Sequence, residues 1–254
     1  MSISTIPSHD GALVEIRLDR PRVHNALDGE TLDALQRAVE DADRSGARVI
    51  LLSGEGKSFC SGADRRHYPG YAGEAGGQHL VHAQIGIGNR VCRALAQTNA
   101  ITLARLHGHV LGGGLALALA CDMRLAADDA VLGLPEVELA VPLGWGALYR
   151  LSALVGRMQA MEFLLTPRRV SGEEAWRLGL ANASAPAQGL DALVETRTAH
   201  LLGLDPAALL LTKLQFKALS AREAQGDLET IDGTLLLCAL RGGAYASFLG
   251  DKGH

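Results

Sequence analysis

Cysteine, net charge and long apolar runs are all scarce in this 254-residue chain, and each scarcity removes a class of function. The four cysteines, Cys60, Cys92, Cys121 and Cys238, lie far apart with no CxxC spacing. Neither a zinc site nor a disulfide framework is expected, and reduced thiols in a cytoplasmic setting fit that spacing. The formal net charge is −4 and the pI is near 6.1, so nothing draws the chain to nucleic acid or to an anionic membrane surface. The longest apolar run, VLGGGLALALAC, has 12 residues, short of the ~20 that cross a bilayer. The opening stretch MSISTIPSHDGALVEIRLDR lacks a basic start followed by an apolar segment, so no secretory leader is expected. No repeat or low-complexity segment is present. The GxSxG elbow of serine hydrolases is missing. GEGKS (Gly54–Ser58) fails as a phosphate loop, because the first glycine of GxxxxGK[ST] would fall on Leu51. His107 and His109 have no third ligand nearby, so no metal is expected.

What is present is a chain able to bury a large core, 48% hydrophobic and 20% charged. ALVEIRL (Ala12–Leu18) alternates apolar and polar residues and predicts a strand. RPRVHNAL follows as a loop, with Pro21 stopping the strand. From Asp28, Leu32, Leu35, Val39 and Ala42 share one helical face, and Gly46 is a stop signal. Arg48–Gly54 then reads as a buried strand, giving a βαβ unit and an α/β class. Ile101–Gly108 predicts another strand, the glycines a turn, and the apolar run to Cys121 a helix. Met123–Glu136 predicts short strands around an Asp-Asp turn. Tyr68–Gln78 is a glycine-rich loop. Beyond Pro142 the pattern turns almost wholly helical, with Ser171 as an N-cap and Pro206 at a first helical position. The expected division is an α/β core over 1–195 and a C-terminal helical part over 196–254.

Three consecutive glycines, Gly112, Gly113 and Gly114, stand at the mouth of the apolar helix. Each costs roughly 0.5–1 kcal/mol of backbone entropy relative to alanine, so the run needs a reason. Close packing of the backbone is one. The other is a free helix N-terminus whose N–H groups donate to a phosphate or a developing oxyanion. A second loop, KSFCSGAD (Lys57–Asp64), also follows a strand and carries small residues, so its amides are free to converge on the same oxygen. Glu136 follows a proline in an apolar stretch. It reads either as an exposed strand-end carboxylate or as a general base whose burial raises its pKa.

RPRVHNAL, VILLSGEGKSFCSGAD, LHGHVLGGGLALALACDMRLAADDAVLGLPEVELAVPLGWG and RVSGEEAWRLGLAN stand in an order and spacing that resembles the crotonase, or enoyl-CoA hydratase/isomerase, superfamily. The resemblance runs from Leu13 to Asn182, more weakly beyond. It implies a ββα superhelical core with a C-terminal helical trimerisation part, assembled as a homotrimer or a hexamer. It also implies an acyl-CoA thioester as substrate, with no further cofactor, since the CoA enters with it. The family's two oxyanion amides are carried onto Ser61 and Gly113 and its base onto Glu136. Gly62, Ala63, Asp64, Tyr68, Gly112, Pro135 and Gly144 would surround the substrate, and Arg22 would contact CoA phosphates. The second hydratase glutamate falls on Ala116. One carboxylate suits a Δ3,Δ2-enoyl-CoA isomerase, which moves a proton between carbons, better than water addition. A hydratase, a biosynthetic acyl-CoA lyase, decarboxylase or hydrolase, and a non-catalytic acyl-CoA-binding homologue remain alternatives. Arg65, Arg66, His67 and Tyr68 replace the apolar residues usual after Asp64, and LRGGAYASFLGDKGH lacks the family's basic tail.

Overall fold

The computed structural model describes residues 2–64, 77–166 and 168–223. Tyr68, the Arg65–His67 segment and the C-terminal LRGGAYASFLGDKGH lie outside them. β1 (Ile3–Ser8) runs antiparallel to β2 (Leu13–Leu18), and β2 pairs in parallel with β3 (Val49–Gly54) across α1 (Gly29–Arg44). The βαβ expectation therefore holds. In β2 the alternation is physical: Val14, Ile16 and Leu18 are buried, while Glu15 and Arg17 pair at 3.0 Å on the other face. The α1 start is set by Asp28, whose carboxylate accepts from the Thr31 amide at 2.8 Å. Its buried stripe includes Leu32, Leu35, Val39 and Ala42.

The chain continues through α2 (Gly77–Gln97), β4 (Ile101–Leu106), β5 (His109–Leu111), α3 (Gly113–Ala120), β6 (Met123–Ala127) and β7 (Val131–Gly133). β4 and β6 extend the large sheet, whereas β5 and β7 pair with each other in a second, smaller one. Each strand pair is thus a step from one sheet to the next. The step after β4 passes through Gly108 at φ 54°, where a side chain would collide with the Lys57 carbonyl. Cys60 bridges to Val110 at the edge of the small sheet, so β3, this segment and α2 repeat the strand–strand–helix unit.

α4 (Ala147–Leu165), α5 (Gly172–Arg177), α6 (Leu190–Gly203) and α7 (Pro206–Glu223) make up most of the remainder. Two short strands interrupt them: β8 (Val170–Ser171) joins the small sheet, and β9 (Ala183–Ala185) ends the large one, in the order β1-β2-β3-β4-β6-β9. The division expected at 195/196 falls inside α6, a single helix that packs on the large sheet with Leu190, Val194 and Leu201 buried. α7 is tied to the turn after α3 by an ion pair between Lys213, 2% exposed, and Asp122 at 2.5 Å. α3 is buried over nearly its whole length, which its uniformly apolar sequence requires. It runs through the interior with its N-terminus at the three glycines.

Candidate active site

The glycines divide the two roles the sequence left open. Gly112 has φ 52° and ψ −123°, a backbone open essentially to glycine alone. A methyl group on it would lie 3.1 Å from Oε1 of Glu136. A methyl on Gly113 would lie 2.6 Å from Cζ3 of Trp145, and one on Gly114 2.5 Å from the Cys60 carbonyl oxygen. Gly113 and Gly114 are therefore there for packing. That packing still leaves the Gly113 amide, first in α3, outside the helix's own hydrogen bonds.

The loop after β3 approaches the same point. Gly62, at φ 93°, lies so close that a methyl on it would be 3.3 Å from the Gly113 nitrogen. Its neighbours differ sharply in what their amides do. Ser61 N–H donates to the His24 carbonyl at 2.9 Å, so it is not the free donor expected of it. Gly62 N–H donates to Cys60 Sγ at 3.4 Å. The Gly62 carbonyl and the Asp64 amide both pair with Leu27, at 2.8 Å each. Among the described residues, the Ala63 amide alone of this group has no acceptor. The free amides beside each other are thus Ala63 and Gly113, and the expectation for Ser61 is corrected by two residues. The spent amide at Ser61 is set by His24, whose left-handed backbone (φ 51°) turns its carbonyl toward the loop.

Asp64 is 3% exposed, and its carboxylate accepts from Arg20 at 3.1 Å. Arg20 also pairs with Asp28 at 3.0 Å and so ties the two loops to the start of α1. Asp64 is thus held by Arg20 within the loop scaffold, and Arg20 is a residue that sequence reasoning missed. Asn25 completes the tie, donating to the Glu55 and Ser58 carbonyls at 3.0 and 2.8 Å. Arg22 stands exposed on the Pro21–Val23 turn of the same loop. His107 spends both ring nitrogens, on Arg105 at 2.9 Å and on the Gly56 carbonyl at 3.0 Å.

Glu136 opens the short 3-10 turn Val137–Leu139 after β7. As a residue it is partly exposed, yet its Oε2 is shut off from solvent and has no hydrogen-bond partner among the described residues. Burial pushes its carboxyl up to about 7, only partly opposed by its own backbone and by the Arg169 guanidinium. A carboxyl of that strength exists in both forms near neutral pH, which suits a group that takes and returns a proton. Pro135 Cδ lies 3.9 Å from the same point above Gly112. Gly144 faces open space. Ala116, one turn into α3 with its amide on the Gly112 carbonyl at 3.0 Å, is 2% exposed and apolar. Cys60 is no rival nucleophile: burial pushes its thiol up to about 12.

The structure thus brings together two amides without acceptors among the described residues and one carboxyl that burial pushes up to about 7. Residues 8–233 match the family model described as Enoyl-CoA hydratase/isomerase. YngF of Bacillus subtilis, named for the same hydratase/isomerase class, is 40% identical over 174 residues, 67% of this chain and 65% of its own. The match to two further relatives likewise spans only 60% and 59% of their length. The peroxisomal Delta(3,5)-Delta(2,4)-dienoyl-CoA isomerase of Arabidopsis thaliana is 30% identical over 240 residues, 90% of this chain and 86% of its own. The crystal structure of an enoyl-CoA hydratase from Bacillus halodurans superposes with a TM-score of 0.90 over 99% of this chain and all of that one, at 24% identity, and shows the fold. The chain belongs to the enoyl-CoA hydratase/isomerase family.

Proposed function

We propose that the chain is an enoyl-CoA isomerase that moves one proton between C2 and C4 of a 3-enoyl-CoA thioester. The observation that carries this reading is the buried Oε2 of Glu136, without a partner among the described residues, in a site where α3 carries the apolar Ala116 and the Ala63 and Gly113 amides are free. The thioester oxygen accepts from the Ala63 and Gly113 amides, which stabilise the negative charge that develops on it. C2 becomes acidic, and the Glu136 carboxylate takes its proton. The electron pair spreads from C2 over the thioester and the double bond as a dienolate. The protonated Glu136 then delivers the same proton to C4, the double bond moves to C2–C3, and the carboxylate is restored. One base suffices, and no atom is gained or lost. Arg22, exposed on its turn, is the candidate contact for a CoA phosphate.

Hydration asks for more: one group must activate water while another protonates carbon. Ala116 supplies neither, because a methyl side chain cannot move a proton. The name of YngF joins both activities, so the choice rests on assay. Incubating wild type with a 3-enoyl-CoA in heavy water tests the proton route. Transfer of substrate hydrogen from C2 to C4 supports the single base, and Glu136→Gln is expected to lower the rate on the order of 10²–10⁴-fold. Full activity in that variant would reassign the base.

A further inference from the structure

Trp145 is the largest side chain against the candidate site, and the proton shuttle gives it no task. It lies between Gly144 and Gly146 in the loop that leads from Glu136 to α4, with its own backbone left-handed at φ 60°. A bulky residue rarely adopts that conformation, and it persists only where the surroundings hold it. They do so here. Arg150 Nη1, on the first turn of α4, donates to the Trp145 carbonyl at 2.7 Å, and the residue is 6% exposed.

Two helices give up side chains to admit the indole. A methyl on Gly113 would lie 2.6 and 2.7 Å from Cζ3 and Cη2 on its six-membered ring. One on Gly88, in α2, would collide with Cε2 and Nε1 on the opposite side. The ring therefore fills the space between Gly88 of α2 and Gly113 of α3. The adjacent residue, Gly112, faces the Glu136 carboxyl at 3.1 Å from where its own methyl would be. An acyl group with its oxygen on the Gly113 amide would lie beside the ring that packs on Gly113.

Resting on the isomerase reading, we propose that Trp145 determines acyl-chain specificity, its indole closing the passage between α2 and α3 and confining the site to short acyl groups. The experiment compares kcat/KM for a short and a long straight-chain 3-enoyl-CoA in wild type, Trp145→Phe and Trp145→Ala, with a melting curve for each. A methylene gained or lost in an apolar pocket alters selectivity by roughly tenfold or more. Trp145→Ala is expected to raise the long-to-short ratio by at least about tenfold, and Trp145→Phe by less. If the alanine variant does not fold, Trp145→Leu carries the same comparison. A folded variant with a ratio within about twofold of wild type, well below that scale, overturns the role of Trp145, as does a wild type that already prefers the long chain. A wild type that converts neither ester overturns instead the isomerase reading on which the proposal stands.

Discussion

Replacing Glu136 by glutamine should make the protein gain stability relative to wild type as pH rises, while lowering its activity sharply. The free carboxyl value is 4.5, and burial holds the folded one at about 7. Between those values the folded state binds more protons than the unfolded, so wild-type stability falls as pH rises through the window and levels off above it. The shift of about 2.5 units, at 1.36 kcal/mol per unit, sets an upper bound of roughly 3 kcal/mol. Glutamine does not titrate. Any cost of burying its amide is the same at every pH, so the informative quantity is how the difference between variant and wild type changes with pH. That difference should grow in the variant's favour from pH 4 to pH 8 by up to roughly 3 kcal/mol, or about 2–4 °C in Tm per kcal/mol for a chain of this size. Paired denaturant titrations across that range measure it. A difference that stays flat would refute the claim that burial raises this carboxyl well above its free value.

Other perturbations separate the parts of the site. Arg169 pairs with Glu138 at 3.0 Å and favours the charged form of Glu136. Arg169→Gln should therefore move the acid limb of the kcat profile to higher pH, by less than one unit, since half-exposed pairs contribute about 0.2–1 kcal/mol; a limb that moves down would contradict this. Ser61→Ala should leave kcat within a few-fold, because its amide serves the His24 carbonyl, and a loss of about 10²-fold or more would restore Ser61 as an oxyanion contact. Gly113→Ala keeps the amide but drives a methyl into Trp145, and should lower stability by about 1–3 kcal/mol in denaturant titration. Lys213→Met leaves Asp122 with its Thr102 contacts but without its buried cation, and should cost about 3–5 kcal/mol; an unchanged melting curve would show that α7 is not anchored there.

Much of this arrangement was legible in the chain. β2, β3 and α1 declare themselves through alternation, an apolar run and a stripe bounded by Asp28 and Gly46, all local signals. β8 and β9, two and three residues long, carry no such signal and exist through their partners β7 and β6. The site follows the same division. Glu136 and Gly113 stood out by their immediate neighbours. That the Ser61 amide is spent depends on His24, 37 positions away, and no local pattern encodes that. Asp64 looked like a site residue because it closes the motif, and only the folded chain brings Arg20 to it. Trp145 was hidden for a related reason, since its two glycines lie on separate helices.

The central claim is that one carboxyl and two amides perform a proton shift and not a hydration. The most direct measurement supplies purified wild type with a 3-enoyl-CoA and, separately, a 2-enoyl-CoA, and follows both products by mass spectrometry. The account predicts conversion of the 3-ene to the 2-ene with no change in mass, and little water added to either ester. Efficient formation of the 3-hydroxyacyl-CoA by the unmodified enzyme would contradict it, because another residue would then fill the role that Ala116 leaves empty.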